Sequence, residues 1–228
     1  MDETIIEKIE IHTGIKKYLK RIERLTYFST KRIFDIFAAL LGCIFLLPIA
    51  LIVKICNLIS KDYNSIFYKQ KRVGQNGKDI YIYKFRSMVP NADELLEKLL
   101  KNPQYAKEWQ ENQKFENDPR VTKIGNILRK TSLDELPQLL SVLKGDMSLI
   151  GPRPLVEGEL DSHNGDHKLY ESVKPGITGW WGCNGRSATT YEERLNLEYY
   201  YCKKCSLILD IKCFFKTIGA VIFKKGAQ

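Results

Sequence analysis

The stretch IFAALLGCIFLLPIALIV, residues 36–53, contains no charged residue and is bounded by Asp35 and Lys54. As an α-helix it would be roughly 27 Å long, which is at the threshold for crossing the hydrocarbon core of a bilayer. The run starts too late in the chain for a signal peptide, and no small-residue cleavage site follows it. The stretch therefore predicts a membrane-inserted helix, with a buried core helix as the alternative.

Two features of this stretch argue against a simple crossing. Pro48 lies inside it, where proline removes a backbone hydrogen bond and kinks a helix. The twenty residues on each side carry 7 cations before and 5 after the run, whereas the positive-inside rule expects an asymmetry across a spanning helix. We favour a re-entrant helix that bends near Pro48 and returns to the same side, with a spanning helix as the alternative.

The remaining composition bounds the class of protein. A chain of 228 residues is long enough for one catalytic domain, and its net charge of +9 suits a partner that carries negative charge. Aromatic residues do not interleave with the basic ones in any RNA-binding motif, so we expect no nucleic-acid partner. Because no signal peptide precedes the 6 cysteines, we expect reduced thiols and a chain that faces the cytoplasm.

Segments on both sides of the apolar run have recognisable periodicities. Residues 15–25 alternate apolar and basic side chains at helical spacing, which predicts an amphipathic helix for a membrane surface or a partner helix, or an ordinary surface helix. Residues 65–88 alternate aromatic and β-branched residues around GQNG and predict a β-hairpin. Residues 91–117 form a polar helical insertion.

The C-terminal segment is a second amphipathic helix, with its apolar residues on one face and lysines opposite. It either lies in the membrane interface or packs on the core. The apolar set is Leu207, Ile211, Phe214, Ile218 and Ile222.

These elements predict a mainly helical α+β fold. An amphipathic extension (residues 1–30) leads into a re-entrant membrane helix (31–60). A small cytoplasmic catalytic domain (61–228) follows, with the β-hairpin and interfacial amphipathic helices.

An adjacent acid pair, Asp134 and Glu135, lies within LRKTSLDELPQLLSVLKGDMSLIGPRPL, residues 128–155. A structural explanation is helix capping: Ser132 and Glu135 fit a capping box, or Asp134 is the N-cap with Pro137 in the first turn. Acids at a helix N-terminus also interact favourably with the helix dipole. A second pair, Asp93-Glu94, has a similar helix-start context without clustered arginines, glycines and prolines around it.

The neighbours of the first pair favour chemistry on phosphates. Arg129 precedes Asp134, and Arg153 follows within Gly-Pro-Arg-Pro. Arginine binds phosphate oxygens in a bidentate manner, and Mg²⁺ takes one or two carboxylates together with phosphate oxygens. One carboxylate could then attack phosphorus while the other holds the metal.

Three motifs in order, YKFRSM, RKTSLDELPQLLSVLKGDMSLIGPRPL and KPGITGWWGCNGR, closely resemble the bacterial sugar transferase family, over residues 31–226. The resemblance implies a monotopic membrane enzyme that transfers a sugar-1-phosphate from a UDP-sugar to a polyprenyl phosphate such as undecaprenyl phosphate, and that releases UMP. Such enzymes begin polysaccharide assembly, as for capsule or exopolysaccharide, at the cytoplasmic face of the bacterial cytoplasmic membrane. The chain departs from many members at the helix break, where Leu47-Pro48 replaces Ser-Pro.

Carried over to this chain, the resemblance implies that Asp134 is the nucleophile that forms a phosphosugar intermediate and that Glu135 ligates Mg²⁺. The nucleotide sugar is further expected to contact Arg186. The positions implied for phosphate contacts are Lys84, Arg86, Arg129 and Arg153.

Sugar identity is the finer expectation. The insertion and the GWWGCNGRSATTYEERL segment look more like hexose-specific enzymes, so galactose is favoured, with glucose or an acetamido sugar as alternatives. A rival from another class is a non-catalytic basic protein that binds membrane or nucleic acid. Membrane lipid is an expected partner, and a homo-oligomer is left open.

Overall fold

The computed structural model describes residues 3–112, 115–185 and 189–222. Among these residues helix far exceeds strand, which confirms a mainly helical α+β architecture. The helices are α1 (Glu3–Ile59), α2 (Ala92–Leu99), α3 (Pro103–Asn112), α4 (Lys123–Lys130), α5 (Gln138–Lys144), α6 (His167–Tyr170), α7 (Trp180–Asn184), α8 (Tyr191–Lys204) and α9 (Leu207–Ile222). The strands are β1 (Phe67–Val73), β2 (Asp79–Phe85), β3 (Ser148–Ile150) and β4 (Gly176–Thr178).

The predicted β-hairpin is confirmed. Strands β1 and β2 pair antiparallel from Phe67 opposite Phe85 to Val73 opposite Asp79. The turn between them is a single 3₁₀ turn in which Asn76 adopts a positive φ of 59°. From β2, Ile80 and Ile82 are buried in a cluster with residues of α1 and α5. Strands β3 and β4 form a short parallel pair.

Polar contacts fasten α1 to the rest of the molecule just before the apolar run. Arg32 donates to two backbone carbonyls near the end of α5, at 2.5 and 2.8 Å. Asp35 is buried and accepts from the Ser148 hydroxyl (3.1 Å) and from the backbone N–H of Leu149 (2.9 Å). A buried carboxylate needs such partners, so these bonds hold α1 in one position against β3.

Helix α1 is one element that crosses the predicted boundary at residues 30/31 and continues through Pro48. The bend expected there stays a prediction. One face of the apolar run is buried, at Ala39, Leu46 and Val53. At Gly42 a Cβ atom would lie 2.5 Å from the Leu139 side chain, so α1 and α5 pack too closely there for a larger residue.

The opposite face of the run is uncovered in the described part of the chain. Its exposed apolar side chains include Phe37, Leu41, Ile44, Phe45, Leu51 and Ile52. Monomeric soluble proteins rarely expose contiguous apolar patches of this kind. This surface therefore requires a partner, in agreement with a helix that meets lipid.

Helix α9 resolves the alternative left open for the C-terminal segment. Leu209 and Cys213 are buried, whereas Ile211 and Phe214 from the predicted apolar face are 55% and 52% exposed. Ile218 is also exposed, so these three residues of the predicted face are turned away from the core; the Ile222 side chain lies outside the described part of the chain. Asp210 anchors the helix by accepting from Tyr201, Tyr27 and Lys31 at 2.6, 3.0 and 2.8 Å.

Candidate active site

The backbone around the acid pair differs from both capping predictions. Ser132 adopts a left-handed conformation (φ 57°) and makes no side-chain cap, so the capping box is wrong. Asp134 and Glu135 lie in a single 3₁₀ turn, and α5 begins at Gln138, directly after Pro137. The acids thus precede the helix by a turn, and their carboxylates are available for contacts with other elements.

Two basic residues approach the pair from elements that lie far away in the sequence. Lys84 of β2 donates to Glu135 Oε1 at 2.9 Å. Arg129, near the end of α4, donates through Nε to the Ser87 hydroxyl at 2.9 Å and is close enough to influence Asp134 electrostatically. The structure therefore brings four of the predicted site residues together.

The position of α4 depends on a glycine. A Cβ atom at Gly125 would lie 1.9 Å from the backbone carbonyl oxygen of Ser87. Only glycine permits this approach, because the obstructing atom belongs to the backbone and cannot rotate away. The close contact brings α4 against the segment after β2 and places Arg129 beside the acid pair.

Asp134 differs from Glu135 in its surroundings. Within the described residues its carboxylate accepts a hydrogen bond from its own backbone N–H and from no other residue. Burial raises the pKa of Asp134 above its usual value, the Glu135 charge raises it further, and Lys84 and Arg129 lower it. A half-buried carboxylate that has no hydrogen-bond partner from another described residue and lies near two cations is available to react.

The acid pair lies over the middle of the apolar helix. Leu133 and Leu136, on either side of the pair, pack against a buried cluster that contains Leu46 and Val53 of α1. Pro48 lies between those two α1 residues in the sequence. The dyad therefore lies beside the buried face of α1, near Pro48.

The other predicted contact residues are placed differently. Arg86 uses Nε and Nη1 for the backbone oxygens of Ser65 and Met88, and Nη2 for Asp62 at 2.8 Å. Its contacts join β2 to the loop after α1, and its phosphate role stays a prediction. Arg186 lies outside the described residues.

Arg153 contacts a set of residues that the sequence did not single out. Its guanidinium lies 5.7 Å from the centre of the Trp181 ring, and Arg194 lies 4.8 Å from the same ring. The Arg153 backbone N–H donates to Glu198 at 3.0 Å, and Arg72 is its electrostatic neighbour. No spacing signal in the sequence could have joined these residues, because they come from β1, α8 and the Gly-Pro-Arg-Pro loop.

The acid pair supplies two carboxylates of the ligand set expected for the Mg²⁺ that the resemblance implies. No cluster of three or more potential protein ligands (His, Cys, Asp, Glu) occurs in the part of the chain that the structure describes. Mg²⁺ is commonly bound by one or two carboxylates together with substrate phosphate oxygens. Glu135, with Oε1 engaged by Lys84, and the unpaired Asp134 supply a set of that kind.

Comparisons with known proteins agree with the motifs. A UDP-galactose-lipid carrier transferase of Erwinia amylovora is 47% identical over 86% of this chain and 41% of its own length. An undecaprenyl-phosphate galactose phosphotransferase of Salmonella typhimurium is 44% identical, with the same coverage. The exopolysaccharide production protein ExoY of Sinorhizobium fredii is 42% identical over 87% of this chain and 88% of its own length.

The chain thus spans about four-tenths of the first two relatives and nearly all of the third. The model of the family described as bacterial sugar transferase matches residues 26–224. This match covers most of the chain, including the apolar run and the acid pair. The chain therefore belongs to the bacterial sugar transferase family.

Proposed function

We propose that this protein transfers hexose-1-phosphate from a UDP-sugar to undecaprenyl phosphate and releases UMP, as the first membrane step of polysaccharide assembly. The observation that carries the proposal is the unpaired, half-buried carboxylate of Asp134, with Glu135, Lys84 and Arg129 around it. The names of the relatives, which include a UDP-galactose-lipid carrier transferase and an undecaprenyl-phosphate phosphotransferase, support the same reaction.

The chemistry proceeds in two displacements. An Asp134 carboxylate oxygen attacks the β-phosphorus of the UDP-sugar, and the bond from that phosphorus to the bridging oxygen breaks, so that UMP leaves with the electron pair. A phosphate oxygen of undecaprenyl phosphate then attacks the same phosphorus and releases the Asp134 carboxylate. This is covalent catalysis with ping-pong kinetics.

The environment of Asp134 suits this role. Burial and the Glu135 charge raise its pKa, which makes the carboxylate more basic than an exposed one, while Lys84 and Arg129 favour its ionised form. The same two cations can contact phosphate oxygens of the substrate. When bound, Mg²⁺ would offset part of the negative charge that a diphosphate and two carboxylates bring together, with Glu135 as its ligand.

The packing of α1 supports a re-entrant helix over a spanning one. At the start of the apolar run Asp35 bonds to residues of β3, and at its end Val53 packs with Phe85 and Leu128. The same domain therefore contacts both ends of a segment that is roughly 27 Å long. A perpendicular crossing would draw β2 and α4, with their charged residues, into the bilayer.

Two uncovered apolar surfaces support membrane binding, and we propose that the protein lies on the cytoplasmic face. One is the exposed face of α1, and the other is the face of α9 that contains Ile208, Ile211, Phe214 and Phe215. An amphipathic helix with such a face lies in the membrane interface. Both substrates then reach the dyad at one surface, the lipid from the bilayer and the nucleotide from water.

Galactose is the sugar that we propose. Among the relatives, two are named for galactose and a galactosyl transferase of Streptococcus agalactiae is 38% identical over 92% of this chain. A relative of Aeromonas hydrophila named for N-acetylgalactosamine is 36% identical over 100% of it. The proposed preference is therefore for galactose over glucose and acetamido sugars.

The test is release of UMP by membranes that contain the protein, with undecaprenyl phosphate, Mg²⁺ and a panel of UDP-sugars. We expect release with UDP-galactose, and a label from the sugar phosphate on the protein when the lipid is omitted. Asp134→Asn should abolish both signals. Asp93→Asn, in the exposed acid pair of α2, is the matched control and should retain both.

Unchanged release by Asp134→Asn would refute the nucleophile assignment. If none of the UDP-sugars releases UMP with the wild-type protein, the reaction itself is wrong. A preference for another UDP-sugar would leave the reaction intact and change only the proposed sugar.

A further inference from the structure

Three arginines, Arg72, Arg153 and Arg194, form what we call the arginine cluster. They come from the end of β1, from the Gly-Pro-Arg-Pro loop and from α8. Burial lowers the pKa of Arg72, Arg153 and Arg194 lower it further, and the Glu159 carboxylate opposes them. Three like charges that converge in this way repel one another unless an anion lies between them.

The hydrogen-bonding capacity of the cluster is mostly unused within the described residues. The Arg72 side chain makes no hydrogen bond or ion pair with the described residues, and its Nε is buried without a partner. Arg194 pairs with Glu159 through Nη1 at 3.2 Å and interacts with the Tyr170 hydroxyl, whereas its Nε and Nη2 are buried with no partner in hydrogen-bond geometry among the described residues. Buried donors without partners are rare in proteins and call for a ligand.

The buried carboxylate of Glu198 contacts the backbone of one member of the cluster. Glu198 is only 1% exposed, and its Oε1 accepts the backbone N–H of Arg153 at 3.0 Å. Burial raises the pKa of Glu198 to about 7, with the neighbouring arginines opposing the shift. Glu198 therefore positions the Arg153 backbone through Oε1, while its Oε2 is buried without a hydrogen-bond partner among the described residues.

The cluster and the acid pair lie on the same face of the β-hairpin. Arg72 is four residues from Tyr68 on β1, and Tyr68 lies directly opposite Lys84, which contacts Glu135. At 3.3 Å per residue this separation is about 13 Å along the strand. Because arginine and lysine side chains both extend several ångströms, one elongated substrate can contact the cluster and the dyad together.

We propose that Arg72 and Arg194, together with Arg153, bind a phosphate group of the substrate while the dyad acts on the reacting phosphorus. The proposal rests on the proposed function and adds two residues to its binding site. Guanidinium groups bind phosphate in a bidentate manner, and Arg72 and Arg194 have donors to spare. Both substrates carry phosphate, and we assign the cluster to the α-phosphate of the nucleotide, which UMP retains and which lies next to the reacting β-phosphorus.

The variant that tests this is Arg72→Gln, with Lys71→Gln as the matched control. Lys71 is the adjacent cation on β1 and forms exposed ion pairs with Asp79 and Glu157 on the other face of the strand. In detergent, binding of UMP and of a short-chain polyprenyl phosphate is measured for each variant by calorimetry. We expect Arg72→Gln to weaken UMP binding roughly 10-fold or more and Lys71→Gln to leave it within about 2-fold.

The two ligands separate the sources of the phosphate. Selective loss of UMP binding assigns the cluster to the nucleotide, and selective loss of polyprenyl-phosphate binding assigns it to the lipid; either supports a phosphate subsite. Equal affinities of wild type and Arg72→Gln for both ligands would overturn the proposal. Because binding is measured without turnover, the result stands even if no UDP-sugar proves to be a substrate.

A second pair of variants covers the case in which Arg72→Gln unfolds. Arg72→Lys keeps the buried charge and removes the forked donors, so we expect UMP binding about 3- to 10-fold weaker with a nearly unchanged melting temperature. Arg194→Lys should have a similar effect. Wild-type affinity in both lysine variants, when both are folded, would also refute the proposal.

Discussion

Asp134-Glu135 and Asp93-Glu94 are both Asp-Glu pairs of adjacent acids, and their surroundings in the structure differ. Asp93 and Glu94 are exposed in the first turn of α2, where acids interact favourably with the helix dipole. Asp134 is half-buried in a 3₁₀ turn. The same dipeptide is thus an ordinary helix start in one place and a candidate catalytic dyad in the other, because the neighbours from β2 and α4 differ.

The largest difference in UMP release between the two pairs should follow removal of the glutamate carboxylate of each pair. Glu135→Gln removes the expected Mg²⁺ ligand, so we predict that UMP release falls on the order of 100-fold and that half-maximal activity requires more Mg²⁺. Glu94→Gln should change neither. The measurement is the Mg²⁺ dependence of UMP release, and an unchanged dependence in Glu135→Gln would remove the metal role of that residue.

The dyad should also depend on the packing of α4. Gly125→Val places side-chain atoms against the Ser87 carbonyl, so we expect destabilisation by about 1–3 kcal/mol and a displaced Arg129. UMP release should fall at least about 10-fold, because catalysis is sensitive to small displacements. Gly219→Val is the control, since a Cβ there meets no atom within 4 Å. Equal activity of the two variants would show that α4 does not position the site.

A smaller effect is expected from removal of the cation beside Glu135. Lys84 lowers the pKa of Asp134, so Lys84→Met should raise that pKa further. The acid limb of the pH–rate profile should then move to higher pH, with a greater loss of UMP release at pH 6 than at pH 8. Lys98→Met, at the end of α2 near the other pair, should leave the profile in place. If the acid limb of Lys84→Met does not move, the ionisation that the limb reports is not that of Asp134.

The smallest predicted effects concern stability and have opposite signs in the two pairs. The pKa of Asp134 is raised in the folded state, so its ionisation destabilises the fold increasingly as pH rises through that pKa and has no effect below the unfolded value of about 3.9. The melting temperature of Asp134→Asn should therefore be a few degrees above that of the wild type at pH 7. At pH 3 the two melting temperatures should be the same.

For the exposed pair, Asp93→Asn removes a favourable interaction with the helix dipole. It should destabilise the protein by about 0.3–1 kcal/mol at pH 7. Melting curves at both pH values check the pair of predictions. Destabilisation by Asp134→Asn at pH 7 would mean that its carboxylate has a stabilising partner after all.

Several features could be predicted from local sequence. The hairpin follows from alternation around Gly-Gln-Asn-Gly, and the long helix follows from an apolar run, because both depend on contacts between near neighbours in the chain. Helix α9 shows the limit of periodicity. Ile211, Phe214 and Ile218 of its predicted apolar face are exposed, whereas Leu209, Asp210 and Cys213 are the residues that pack inward. The choice depends on the bonds that Asp210 makes to Tyr27 and Lys31, which the sequence pattern does not contain.

By itself the sequence determined the uncharged helix, the hairpin and the presence of two acids within family motifs. Only the tertiary structure decided that Lys84, 51 residues away, pairs with Glu135, that Asp134 is left without a partner from another residue, and that Arg72 and Arg194 converge on Arg153. The reason is physical: periodicity and turn chemistry act over a few residues, whereas burial and electrostatic contact depend on which distant elements meet.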